Sequence, residues 1–254
     1  MPELSRHIPA EGAFNIRDLG GYPTRSGATI PWRRFLRADS LHRLAPTEPA
    51  RLFDTGLRKV IDLRTPKEMQ DARNPFEAYE GVDFVNLPLF DDLSPEALSR
   101  TRRPGDDPLL AFYMAALETR GEAIRKVMQE MAAQGDGAVL FNCTAGKDRT
   151  GIVAALLLGH AGVPNEKIVE DYTLTSAFIS DLVKEFLQLS RERGGDTESY
   201  AKLLKSPATT MLDTLARIEA DYGSIPGYLR SVGLAKADAT RLRERLLQPQ
   251  EPAS

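Results

Sequence analysis

Phe141-Asn142-Cys143-Thr144-Ala145-Gly146-Lys147-Asp148-Arg149-Thr150-Gly151 joins two stretches of opposite character. Before it, Ala138 to Asn142 (AVLFN) is a short apolar run of strand type, and after it Thr150 to Ala161 is nearly all apolar, as a buried helix would be. A tight loop between such elements brings its backbone amides together ahead of a helix N-terminus, where the helix dipole adds positive potential. Gly146 lets the chain turn closely around an anion. Arg149 offers a planar fork for two phosphate oxygens, and Lys147 adds a second cation. Cys143 stands at the loop mouth, where amides and cations favour the thiolate. The loop therefore suits one task, holding a tetrahedral dianion against a sulfur nucleophile.

Outward from this loop the chain alternates strands and helices. Leu57 to Leu63 carries β-branched residues and stops at Arg64-Thr65-Pro66, so it reads as a strand, as does Val82 to Leu87 before Pro88. Thr65 to Met69 starts a helix, with Pro66 at its first position and Glu68 three residues after Thr65, a capping box. Thr24 to Ile30, with Gly27, reads as a hairpin region. From Pro108 to Ala133 apolar residues recur at helical spacing and break near Gly121, which predicts two helices or a kinked one. Beyond Pro164 the chain reads as mostly helical, with Gly194-Gly195, Ser206-Pro207 and Gly223 to Gly227 separating the pieces. This order predicts an α/β fold, a central sheet flanked by helices, in a single domain over residues 1–254.

Composition narrows the function. The 254 residues carry 33 basic and 36 acidic side chains, a net charge of −3, so no global field draws the chain to nucleic acid or an anionic membrane. One cysteine excludes an internal disulfide and a Cys-rich zinc site, and the three histidines (His7, His42, His160) lie far apart, so no metal and no cofactor is expected. The N-terminus lacks the apolar core of a signal peptide, and the apolar run Ile152 to Leu158 is far shorter than the roughly 20 residues that span a bilayer. The expectation is a cytoplasmic protein without stable membrane insertion, secretion by a signal-less route staying open.

The spacing Cys, five residues, Arg, Thr resembles the signature of the cysteine-dependent protein tyrosine phosphatases. Together with NIRDLGGY at Asn15 to Tyr22, IDLRT at Ile61 to Thr65, NLPLFD at Asn86 to Asp91 and GSIPGYLRSVGL at Gly223 to Leu234, it looks like the bacterial tyrosine and lipid phosphatase family that includes secreted mycobacterial and listerial members. The resemblance runs from about residue 10 to 247. It implies a tyrosine phosphatase-like fold, with Cys143 as nucleophile and Arg149 binding phosphate among Thr144, Ala145, Gly146, Lys147 and Asp148. Asp148 and Asp91 are both candidates for the acid that protonates the leaving oxygen. The implied partner is a phosphorylated protein, lipid or small molecule. One departure stands out: Asn142 occupies the place where the family pattern has His, a residue that helps order the loop and favours the thiolate. Asn142 donates only a neutral hydrogen bond, which motivates an alternative in which the chain captures phosphorylated ligands and turns them over poorly.

Ordinary roles compete for several of these residues. A lone cysteine is more often an inert core residue than a nucleophile, and only its loop raises Cys143 above that. Arg17 and Asp18 either pair with each other or brace the loop; Asp62 and Arg64 end a strand on the side where α/β folds place their sites. Thr150 supports the loop. His160, Trp32 and Tyr113 read as packing residues, with stacking on a phosphotyrosine at the cleft rim as the alternative for the two aromatics. Residues 165–205 are expected to form a helical lid-like insertion over the cleft.

Overall fold

A computed structural model describes residues 5–90 and 107–248; Asp91 lies outside the described residues. Strands β1 (Arg17–Asp18), β2 (Phe35–Ala38), β3 (Leu57–Asp62), β4 (Asp83–Asn86) and β5 (Ala138–Asn142) form one sheet in the order β1-β2-β5-β3-β4. β1 is antiparallel to β2, and the other pairings are parallel. Parallel strands are covered on both faces, which is why β5 is buried at every position. Alternation then sorts its side chains: Val139 and Phe141 enter the larger core, Ala138 and Leu140 the smaller one on the other face.

Register decides where the chemistry sits. Ala38 of β2 and Asp62 of β3 both pair with Asn142 of β5, so three strands end level with one another. The loops that leave these carboxyl ends meet in one place, as the general rule for open α/β sheets requires.

The helices are α1 (Glu48–Asp54), α2 (Pro66–Asp71), α3 (Pro108–Thr119), α4 (Gly121–Ala133), α5 (Asp148–Ala161), α6 (Asn165–Phe178), α7 (Ser180–Glu192), α8 (Thr197–Leu203), α9 (Ala208–Tyr222), α10 (Ile225–Ser231) and α11 (Lys236–Leu247), with a 3-10 turn at Pro75–Ala78. The predicted capping box is present: Thr65 Oγ1 accepts from Glu68 N and Glu68 Oε2 accepts from Thr65 N. The break at Gly121 separates α3 from α4. α5 is buried along almost its whole length and stops at Gly162, whose φ of 87° closes it with a left-handed cap. Gly151, one turn into α5, permits a close approach of α6, since a Cβ there would lie 3.2 Å from the Tyr172 ring.

Residues 165–205 comprise α6, α7 and α8. α6 buries Ile168, Val169, Asp171, Tyr172 and Thr175. α7 buries only Leu182, and α8 buries none of its residues. Among the described residues no helix is long and apolar enough to cross a membrane.

Candidate active site

The loop from Cys143 to Arg149 leaves the end of β5 and enters α5, and its carbonyls are taken up by the surrounding protein. Ser40 N donates to Thr144 O at 3.1 Å, Asn15 Nδ2 to Ala145 O at 3.1 Å, and Arg37 Nη2 to Gly146 O at 2.7 Å. In a trans peptide the C=O and the following N–H point in opposite directions. The amides of Ala145, Gly146 and Lys147 are thereby turned away from those donors and toward the inside of the loop. Gly146 has φ +65°, and a Cβ there would lie 2.6 Å from Ala38 O, so the residue is needed both for its conformation and for its lack of a side chain. Cys143 is 3% exposed.

Behind the loop lies a buried charge cluster. Arg17 Nε donates to Asp171 Oδ1 at 3.1 Å, its Nη2 to Asp171 O and Thr175 Oγ1, and its Nη1 to Asn15 Oδ1. Arg37 Nη1 pairs with Asp171 Oδ2. Asp39 accepts the amides of Phe14 and Asn15 and so fixes the residue that carries Ala145. Burial alone would push the Asp171 carboxyl up, but Arg17 and Arg37 outweigh it and hold it at about 2. The partner of Arg17 is thus Asp171, while Asp18 accepts from the amides of Gly20 and Arg33. Arg17 acts on the loop through Asn15.

Arg149 is gripped by Glu68. Its Nη1 donates to Oε2 at 2.7 Å and its Nη2 to Oε1 at 2.8 Å, a two-point fork, and Thr144 Oγ1 donates to the same carboxylate. Burial opposes the charge on Glu68, yet Arg149, Thr144 and the Thr65 amide bring it down to about 2. The residue that caps α2 also orients the Arg149 guanidinium.

Asp148, 8% exposed, is the first residue of α5. Its Oδ1 accepts from Tyr113 Oη at 2.5 Å and faces Lys147 Nζ at 3.2 Å. Lys147 is itself buried and donates to the carbonyls of Leu203 and Lys205, at the end of α8. Asn142 lies beneath the loop: Nδ2 donates to Asp62 Oδ2 at 3.2 Å, and Asn74 Nδ2 donates to the same oxygen at 2.8 Å. Arg64 forks onto Asp62 and reaches Ala72 O and Met69 Sδ, so it anchors the β3 end and α2. Asp62 and Arg64 are buried, which leaves them no surface role. Thr150 Oγ1 is buried without a hydrogen bond to the described residues. His160 Nε2 bonds Ala239 O at the far end of α5. Among the described residues, no group of three or more His, Cys, Asp or Glu side chains is placed to hold a metal ion.

Sequence reasoning missed Asp171, Arg37, Asn15 and the second duty of Glu68, and it gave Tyr113 a packing role or a stacking one, with no task for its hydroxyl. A signal for Asp171 was present: it falls with Ile168, Tyr172 and Thr175 on one helical stripe, and a carboxylate on an apolar stripe needs a cation.

A family model described as the tyrosine phosphatase family matches residues 8–248, and the chain belongs to that family of phosphatases. It is 31% identical over 231 residues to a "Tyrosine-protein phosphatase" of Nostoc commune, covering 89% of this chain and 78% of that protein. It is 29% identical over 280 residues to the "Triple specificity protein phosphatase PtpB" of Mycobacterium tuberculosis, covering 95% and 99%. A solved structure of P. aeruginosa TpbA in complex with pTyr aligns over 67% of this chain and 84% of its own, at 17% identity and a TM-score of 0.29, too slight a likeness to bear on the site.

Two outcomes are expected. Gly146→Ala would force a Cβ against the Ala38 carbonyl and strain a positive φ, so urea unfolding should show a loss of about 2 kcal/mol or more and phosphatase turnover should fall with it. The second concerns acid. Asp171 and Glu68 have folded-state values below their ordinary ones of 3.8 and 4.5, so the stability they contribute is present above pH 4.5 and is lost as pH falls toward 2. Thermal midpoints followed by circular dichroism should drop steeply between about pH 4 and pH 2; a flat profile there would contradict the assignment.

Proposed function

We propose that the chain hydrolyses phosphomonoesters, with phosphotyrosine in protein as the favoured substrate, through a phosphocysteine on Cys143. The observation that carries this reading is the orientation of the loop. The carbonyls of Thr144, Ala145 and Gly146 are bound from outside, which leaves the amides that follow them to face an anion, and Glu68 fixes the Arg149 guanidinium six residues after Cys143. The Cys143 thiolate attacks phosphorus in line, the S–P bond forms and the P–O bond to the leaving group breaks. Arg149 and the amides hold the equatorial oxygens, whose charge they meet without reorganising. Asp148 gives its proton to the departing oxygen; water, giving a proton back to Asp148, then cleaves the S–P bond and releases phosphate. Two displacements divide one difficult hydrolysis into two easier ones.

Lys147 would serve a second phosphate, as on a phosphoinositide, only after giving up the carbonyls of Leu203 and Lys205. Its present partners favour singly phosphorylated substrates. The same contacts link α8 to the loop and support a covering role for α7 and α8. Asn142 retains hydrogen bonding to Asp62 in place of an imidazole, which supports an ordered loop and turnover rather than capture alone.

Cys143→Ser should lower turnover of an aryl phosphate by at least about 10³-fold, because an alkoxide is far harder to form than a thiolate, and vanadate should inhibit the unaltered protein. Retained activity in the serine variant would exclude the covalent route. For the acid, Asp148→Asn should cost about 10² to 10⁴ on phosphotyrosine and much less on a nitrophenyl phosphate, whose leaving oxygen hardly needs a proton. If Asp91→Asn shows that pattern and Asp148→Asn slows both substrates alike, Asp91 is the acid and Asp148 orders the loop.

A further inference from the structure

We propose that Tyr113 is a positioning residue for Asp148: its hydroxyl, together with the Lys147 ammonium, occupies carboxyl oxygen Oδ1, so that the proton passed to the leaving group is carried on Oδ2. The inference rests on the reading of Asp148 as the general acid. Tyr113 stands on α3, 0% exposed, and a hydroxyl so deeply buried must find a partner. It has one proton, and the 2.5 Å contact gives that proton to Asp148 Oδ1. The 2.9 Å contact between Tyr113 and Tyr172 is then settled in direction, with Tyr172 as donor. A relay Tyr172 to Tyr113 to Asp148 results, and each bond polarises the next.

Both phenols keep their protons. Burial, then the charge of Asp148, pushes Tyr113 well above its ordinary range, and burial does the same for Tyr172. The relay is also fixed sterically. The two rings meet edge to face at 6.3 Å, and the lack of a side chain at Gly151 lets the Tyr172 ring lie against α5. Among the described residues, the charged and titratable groups that face the Asp148 carboxyl and its donors are Lys147 from the loop, Tyr113 from α3 and Tyr172 from α6, with Arg37 and Asp107 acting on Tyr172.

The consequence for the reaction follows from which oxygen these donors choose. Lys147 Nζ, at 3.2 Å, faces the same Oδ1 that Tyr113 does. A proton on that oxygen would meet an ammonium and a hydroxyl hydrogen, so the acid proton belongs on Oδ2. Once it has gone to the leaving oxygen, the carboxylate that remains is already hydrogen-bonded, and no dipole has to turn as the charge appears. α3 thus takes part in catalysis without touching substrate.

The test measures kcat and KM for phosphotyrosine and for nitrophenyl phosphate, with and without the Asp148→Asn background. Tyr113→Phe keeps the ring and removes the donor. It should lower kcat on phosphotyrosine by about tenfold, leave KM unchanged, and change kcat on nitrophenyl phosphate by less than about twofold. In the Asp148→Asn background the same substitution should have no effect on phosphotyrosine. Equal losses on both substrates, or a loss that persists in that background, would overturn the proposal. If Asp148→Asn itself is indifferent to the leaving group, the reading of Asp148 as acid fails; if it discriminates while Tyr113→Phe does not, only the role of Tyr113 fails. Should Tyr113→Phe not fold, Tyr172→Phe removes the second donor in the relay and should produce a loss of the same pattern, about threefold, and its absence would equally overturn the proposal.

Discussion

A loop that is to offer only amides to an anion must dispose of its carbonyls, and the surroundings of residues 143–149 are organised by that requirement. Three carbonyls in succession are bound by Ser40, Asn15 and Arg37, which come from the N-terminal segment, β2 and the loop after it. Those donors have to be held in turn. Asp39 holds Asn15 by its backbone, Arg17 holds it by its side chain, and Asp171 holds both Arg17 and Arg37. A distant helix, α6, therefore fixes the curvature of the loop through one carboxylate.

Such a cluster is costly to bury. Two arginines and one aspartate, each 1% exposed or less, give up water, and the attraction among them offsets that loss only because nearly every donor has a partner. Removing Asp171 would leave two cations side by side. What the arrangement visibly fixes is the position of the donors to the loop, Asn15 and Arg37. Glu68 follows the same logic at smaller scale, since one carboxylate closes the first turn of α2 and sets the plane of Arg149.

Much of this was legible in the sequence, and the parts that were not share a cause. The strand at Ala138–Asn142, the capping box at Thr65 and Glu68, the break at Gly121 and the buried helix after Arg149 all depend on neighbours within a few residues, and periodicity or turn chemistry reveals them. The tight loop between β5 and α5 was legible for the same reason, because its strand, turn and helix are adjacent in the chain. Contacts that join distant segments left no such trace: Arg17 and Asp171 are separated by 154 residues, Glu68 and Arg149 by 81. Tyr113 was hidden differently. It lies on an apolar stripe where its ring packs like any other, and only the placement of Asp148 beside it gives its hydroxyl a task.

The grip on Lys147 comes from main-chain oxygens of Leu203 and Lys205, and main-chain oxygens exist whatever the side chains are. The segment from Ser180 to Leu203 is consequently under almost no constraint of composition from the loop at residues 143–149; what is fixed is where the chain turns at its end. That region can exchange its outward residues while the ammonium keeps the same seat. The outward composition of this segment and the integrity of the loop are in this way separable in the genetic sense, and the protein can vary the first without endangering the second.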